Sequence, residues 1–160
     1  MNEPVYTEKY KGYTINIYQD ESGFSPDDYR DDNLFLVHYH REFSVGRDKI
    51  VTKDDIRNWY QGEKIEQEKQ YRIFEVEAYI HGGVVLALIK DGRYFPDRCW
   101  DVSHVGAVLV AKKEFRTRKR AEKAARGLIE YWNSCLSGDV YGFVVEESQE
   151  SSFGFYGGNE

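Results

Sequence analysis

The side chains whose types could do chemistry are four histidines, two cysteines and two charged stretches. His38 and His40 stand two apart in Leu34-Phe35-Leu36-Val37-His38-Tyr39-His40. On a strand that spacing turns both imidazoles to one side, and with a third ligand they could hold zinc. His-x-His alone is a weak pattern, and satisfied structural histidines explain it without a metal. The expectation is therefore no metal and no cofactor. His40, Asp101 and His104, with Arg41 and the basic helix around residues 116–123 to hold phosphate, compose one alternative: a small enzyme or nucleic-acid-binding protein. Cys99 or Cys135 beside a histidine could make a nucleophile pair, but such pairs meet in space and the sequence does not single one out. No Gly-x-x-x-x-Gly-Lys-Ser phosphate loop occurs in the chain.

The charged stretches say more. Asp20, Glu21, Asp27, Asp28, Asp31 and Asp32 crowd one loop together with Arg30, and Tyr18, Phe24 and Tyr29 lie among them. Spaced carboxylates of this kind can imitate phosphates and occupy the positive groove of a nucleic-acid enzyme. Asp20, Glu21, Asp27, Asp28, Tyr29, Asp31 and Asp32 are thus candidate partner-binding residues, the plain alternative being a solvated loop. Opposite in sign is the run Lys112, Lys113, Arg116, Arg118, Lys119, Arg120, Lys123 and Arg126, countered in that segment only by Glu114 and Glu122. Cations at a helix N-terminus oppose its dipole, at a cost of about a few tenths of a kcal/mol each. Folding alone does not ask for them. Either the acidic loop lies against this helix, or Arg116, Arg118, Lys119, Arg120 and Lys123 form a basic contact surface for phosphate or an acidic partner, or the run is a solvated face.

The elements that must position these groups are legible. Ala121, Ala124, Ala125, Leu128, Ile129, Trp132, Cys135 and Leu136 recur at helical spacing. They predict a helix from Thr117, its N-cap, to Ser137, with Gly138 as a left-handed stop. Its apolar face should bury Trp132, and a bulky ring such as Tyr141, or another backbone, should pass close to Gly127. A second helix is predicted over Lys53–Tyr60, capped by Thr52 and broken at Gly62. Tyr6 to Tyr18 reads as a hairpin turning at Lys11-Gly12, and Phe74–Ile80 with Val84–Ile89 as another around His81-Gly82-Gly83. Leu34–His40 is apolar on both faces at its start, which predicts a central strand. Val105–Val110 and Val140–Val145 are further strands, Phe153–Tyr156 a short edge strand, and Trp100-Asp101-Val102-Ser103 a tight turn bonded to nearby backbone N–H groups. Strands outnumber helices and short turns join most of them. The expected fold is α+β: a single domain over 1–160, with a mostly antiparallel sheet and two helices packed on one face.

Bulk properties exclude several classes. With 160 residues, 41% apolar and 16% aromatic, the chain can bury a core without disulfides. A net charge of −6 does not imply bulk nucleic-acid binding. The start Met1-Asn2-Glu3-Pro4 predicts no secretory leader, and no apolar run approaches the roughly 18 to 20 residues of a membrane span. Two cysteines outside any metal spacing read as reduced thiols of a cytosolic protein. Thirteen tyrosines suit half-buried strand faces and contact surfaces alike.

Several short motifs occur in a fixed order: His40-Arg41 after an apolar strand, Trp100-Asp101-Val102-Ser103 before Val105-Gly106-Ala107-Val108, Leu136-Ser137-Gly138-Asp139-Val140-Tyr141-Gly142-Phe143, and the tail Phe153-Gly154-Phe155-Tyr156-Gly157. The set resembles an uncharacterised family of small proteins carried by bacteriophages and mobile elements, over roughly residues 34 to 158. That family carries Pro-Trp-Asp-Ser, Leu-Thr-Gly-Asp-Val-Tyr-Gly and Trp-Gly-Phe-Tyr-Gly motifs. This chain departs from it with Phe153 in place of the tail Trp, and with Val102 between Asp101 and Ser103. The resemblance brings no reaction and no catalytic residue. It implies a setting: a cytoplasmic accessory protein of a bacterial host cell, acting as a non-catalytic inhibitor of a defence system such as a CRISPR or restriction nuclease. The implied partner is a host defence protein, the nuclease or its complex. Nucleic acid is compatible with the basic helix, and no membrane is involved.

Overall fold

The computed structural model describes residues 3–21, 31–39, 50–92, 95–96 and 98–157. Two antiparallel four-stranded sheets hold the described chain together. The first has the order β1-β2-β7-β8 and the second β3-β6-β4-β5. Their strands are β1 (Tyr6–Tyr10), β2 (Tyr13–Gln19), β3 (Leu34–His38), β4 (Tyr71–Ile80), β5 (Val84–Leu88), β6 (Val102–Ala111), β7 (Val140–Val145) and β8 (Ser151–Tyr156). The helices are α1 (Lys53–Tyr60), the single turns α2 (Ile89–Gly92) and α3 (Arg98–Asp101), and α4 (Arg118–Ser137), with a 3-10 turn at Glu66–Lys69.

Local chemistry sets the boundaries. Lys11 and Gly12 both take positive φ, 49° and 85°, the two-residue hairpin turn whose twist matches the strands it joins. Thr52 and Asp55 cap α1 reciprocally: the threonine hydroxyl accepts from Asp55 N–H at 3.1 Å, and the Asp55 carboxylate accepts from Thr52 N–H at 2.9 Å. Thr117 accepts from Arg120 N–H at the start of α4, and Gly138 stops it at φ 73°.

Both long helices pack on the second sheet, from opposite sides. α4 lays Ala121, Ala125, Ile129 and Trp132 over Leu36, Phe74, Val76, Ala78, Leu86 and Leu88. α1 seats Ile56 with Val51 against Phe35, Val37, Ala107 and Leu109 on the other face. The α+β class is as expected, but one sheet with both helices on one face is corrected to two sheets with the helices divided. Among the described strands β3 is likewise at the edge of its sheet, not central. Its two apolar faces arise because α4 covers Leu36 while the α1 side covers Phe35 and Val37. Trp132 is 4% exposed, as its spacing requires. Gly127 faces open space instead, and a Cβ there would meet nothing within 4 Å; neither Tyr141 nor another backbone passes close to it. Gly106 is the glycine that a close approach demands. A Cβ there would overlap the Val37 carbonyl oxygen, where β6 bulges opposite Val76 and Glu77 and crosses against β3.

Candidate protein-binding surface

The first sheet has one face that no described element covers. Register places its side chains: Tyr6, Glu8 and Tyr10 of β1 stand opposite Ile17, Ile15 and Tyr13 of β2, and Ile15, Ile17 and Gln19 stand opposite Val145, Phe143 and Tyr141 of β7. Directly opposed residues share a face. Phe155 of β8 joins them opposite Tyr141, its ring centre 5.8 Å from that of Phe143. The result is a row of tyrosines and phenylalanines flanking Ile15, Ile17 and Val145. Tyr6 is 55%, Tyr10 54%, Tyr13 51% and Phe155 50% exposed. No residue of this face enters either apolar cluster of the second sheet.

The reverse face is attached. Tyr156 meets Tyr131 of α4 edge-to-face at 4.2 Å, Val140 is buried, and the Phe153 ring lies across Gly142. Asn16 is buried there between Thr7 and Glu146, accepting from the threonine hydroxyl at 2.7 Å and donating to the carboxylate at 2.7 Å. Glu147 closes the sheet end by accepting from the N–H and hydroxyl of Thr14, and these bonds pull its carboxyl below the usual range. The reverse face is therefore held to α4 at Tyr156 and bonded around Asn16, although Phe153 on it is 49% exposed. Rigid, exposed Tyr and Phe supply contact area at little entropic cost, which is how binding surfaces are built.

The residues singled out by sequence fall elsewhere. Of the acidic stretch, Asp27, Asp28 and Tyr29 lie outside the described residues. Asp20 and Glu21 follow β2, the Asp20 N–H bonding the Val140 carbonyl at 2.7 Å. Asp31 and Asp32 precede β3, where the Asp31 carboxylate accepts from Asn33 N–H and the Asp32 carbonyl from Tyr71 hydroxyl. Arg116, Arg118, Lys119, Arg120 and Lys123 are all exposed. Among the described residues, the carboxylates engaged at α4 are Asp91, held by Arg126 at 2.9 and 3.3 Å, and Glu122, held by Lys90 and Arg126.

His40 also lies outside the described residues. Asp101 and His104 go to different partners. Asp101 ends α3 and meets His81 Nδ1 at 3.1 Å, so the expected turn with side-chain bonds to backbone N–H groups is replaced by a helical turn and a histidine contact. His104 stacks on Tyr60 at 3.7 Å and tilts against Tyr39 at 5.7 Å. Both its ring nitrogens are buried without a hydrogen-bond partner among the described residues. Burial pushes its pKa down, Glu77 opposing, and burial raises the Tyr39 phenol to about 12. His38 is fully buried edge-to-face with Trp132 at 5.8 Å. Among the described residues no group of three His, Cys, Asp or Glu side chains is arranged to hold a metal ion, and no helix is long and apolar enough to cross a membrane.

In the sequence, the alternation of Tyr6-x-Glu8-x-Tyr10 and Tyr13-x-Ile15-x-Ile17 reads as a half-buried strand pair. Alternation shows that two faces differ, and it does not show that a covering layer is missing. Comparison of the chain with protein-family models, with curated proteins and with solved structures finds no match.

Proposed function

We propose that this chain is a non-catalytic binding protein that docks on a protein partner through the aromatic face of its first sheet. The observation that carries the reading is the exposure of Tyr6, Tyr10, Tyr13 and Phe155 on one register-aligned face. Nothing in folding requires four such rings in water. Tyrosine and phenylalanine are the residues that interface cores concentrate. In its specific form, supported by the resemblance to proteins of bacteriophages and mobile elements, the partner is a bacterial defence nuclease or its complex. The protein then inhibits it by occupation, in the cytoplasm of the host. The alternative, a small enzyme or nucleic-acid-binding protein using His40, Asp101, His104 and the basic helix, gains no support from the described contacts, in which Asp101 bonds His81 and His104 stacks on Tyr60.

The test uses the whole chain and a Tyr6→Glu/Phe155→Glu double variant as baits in lysate of a bacterium that carries CRISPR and restriction systems. A nuclease retained by the native bait and lost from the variant, and slowed in its cutting by the native protein alone, is the expected result. Identical retention by both baits overturns the aromatic face as the docking site. A retained nuclease that cuts at its full rate overturns inhibition.

A further inference from the structure

β4 is paired along its whole length on one side only. β6 runs beside it from Tyr71 to Tyr79, whereas β5 reaches only Val76 to Ile80. β5 ends at Leu88, where the strand gives way to the helical turn α2, which stays packed beside β4 at the Glu75 end. Three bonds fix which backbone groups are left facing β5's lane. The Gln70 carbonyl accepts from Lys112 N–H at 2.9 Å, so Gln70, Arg72 and Phe74 bond toward β6 by the alternation of an antiparallel pair. Leu86 turns its N–H and C=O away from β4 to Asn133, so Ala78 opposite it bonds away from β5, and the odd-numbered residues of β4 face β5's lane. The N–H and C=O of Tyr71 and Ile73, and the N–H of Glu75, therefore point into a lane that holds no described strand, while the Glu75 carbonyl is taken by Ile89 N–H, the bond that closes the Val76–Leu88 pair. The groups other than that carbonyl have no hydrogen-bond partner among the described residues. Cavities of about 240 and 510 Å3 lie along that edge, both bounded by Trp59, Ile73, Phe74 and Arg118.

We infer that the open edge of β4 at Tyr71–Glu75 takes an extended segment of a partner protein as an added strand, with side chains alternately acidic and apolar. The backbone supplies the pairing, and an added strand sends successive side chains to opposite faces. The α4 side is positive. Arg72 spends its guanidinium on the carbonyls of Phe115 and Arg116 at 2.8 and 3.1 Å. Arg118 lies over the Phe74 ring at 5.9 Å. Neither makes an ion pair within 4 Å among the described residues; the carboxylate on this side, Glu122, is already held by Lys90 and Arg126 and feels Arg118 only at longer range. The first turn of α4 holds no acidic residue to offset its dipole. Carboxylates of the incoming strand fit this side. The α1 side is Trp59, Tyr71 and Ile73, with the Glu75 carboxylate disfavouring another acid, so apolar side chains fit there. Elsewhere the same sheet guards its edge, with the Asn133 amide bonded to β5; at Tyr71 and Ile73 no described group does so.

The test uses the full chain and a blocked peptide, Val-Glu-Val-Glu-Val-Glu-Val. Its controls are the lysine counterpart and two versions N-methylated on alternate amides, one for each peptide edge. The expected result is saturable binding of the acidic peptide that slows amide exchange at Ile73 and Glu75 at least tenfold. One N-methylated version should lose binding and the other keep it. Arg118→Glu should weaken binding at least tenfold with an unchanged unfolding midpoint, since Arg118 is exposed, and Arg118→Lys should restore most of it. Unchanged exchange at Ile73 and Glu75 with peptide up to millimolar concentration overturns the proposal. So does equal binding of both N-methylated versions, or of the lysine peptide.

Discussion

The side-chain amide of Asn133 grips the backbone of Leu86 from both ends. Its oxygen accepts from Leu86 N–H at 2.7 Å and its nitrogen donates to the Leu86 carbonyl at 2.9 Å. β5 is the last strand of its sheet, and an exposed strand edge invites pairing with other chains. α4 thus contributes a side chain that acts as a two-bond fragment of a neighbouring strand. Asn133→Leu keeps the size of the side chain and strands both backbone groups, for an expected loss of ~1–3 kcal/mol. In a chain of this size that lowers the thermal midpoint by roughly 2–4 °C per kcal/mol. Asn133→Asp loses the donor and sets a carboxylate against a carbonyl, so it should cost at least as much. Midpoints equal to wild type for both variants would show that water replaces the grip.

Trp132 is the largest side chain that α4 buries, and it rests edge-to-face on His38 of β3. Its truncation to alanine should cost about 3–5 kcal/mol, as large aromatic deletions in cores do. Chemical denaturation measures this directly. A loss below about 1 kcal/mol would mean that the second sheet and α4 close over the gap.

What the sequence could and could not say divides along a physical line. Local signals are strong: Thr52, Thr117, Gly138 and Lys11-Gly12 all set boundaries where their side chains or φ preferences require. Trp132 falls on the buried face because helical periodicity counts residues within one element. Long-range facts are not available in that form. Leu34–His38 is apolar on both faces, and that pattern is the same for a central strand as for an edge strand covered by one helix on each side. Gly127 costs helix propensity without any neighbour to explain it, and the structure offers no reason for it. The Asp101–His81 contact joins residues twenty apart through a strand and a turn, so no motif spacing announces it. The aromatic face is written in plain alternation, but only the lack of a covering element among the described residues turns alternation into a surface.

His104 makes the fold sensitive to mild acid. Its pKa is lowered from the ordinary 6.5 by burial, with Glu77 pulling the other way. The unfolded chain therefore takes up the proton first, and stability falls as pH drops through about 6.5 towards the lower folded value. Glu75 works in the opposite sense at lower pH. Burial and Glu77 raise its carboxyl above 4.5, so the folded state takes up that proton first and acidification towards 4.5 restores some stability. Thermal midpoints recorded between about pH 7.5 and 4 should show the first decline in wild type and a flatter profile in His104→Phe. Glu75→Gln should remove the low-pH recovery. A His104→Phe profile parallel to wild type between about pH 7 and 5.5 would assign the decline to another group.

The aromatic face and the acidic stretch make opposite predictions about salt, which separates the two ways this chain could hold a partner. Docking by Tyr6, Tyr10, Tyr13 and Phe155 is driven by apolar area and is little affected by ionic strength. Charge imitation by Asp27, Asp28, Asp31 and Asp32 acts by screened attraction, and weakens as the Debye length shrinks from about 10 Å at 0.1 M to about 3 Å at 1 M. With the captured partner in hand, affinity is measured at low and high salt for three proteins: native, Tyr6→Glu/Phe155→Glu, and the four aspartates reversed to lysine. Tyr6 and Phe155 are exposed, and exposed substitutions seldom move stability by more than about 0.5 kcal/mol, so the double glutamate variant should unfold near the native midpoint; a collapse of the reversed protein alone would point to pairing of the acidic stretch with Arg116, Arg118 and Arg120. The proposed docking face requires that the double glutamate variant lose at least tenfold in affinity at both salt concentrations, because two carboxylates would then be buried against an apolar partner surface. It also requires that the reversed protein bind within a few fold of native at high salt. A native complex that dissociates at 1 M salt while the double glutamate variant binds normally would move the site from the aromatic face to the acidic stretch.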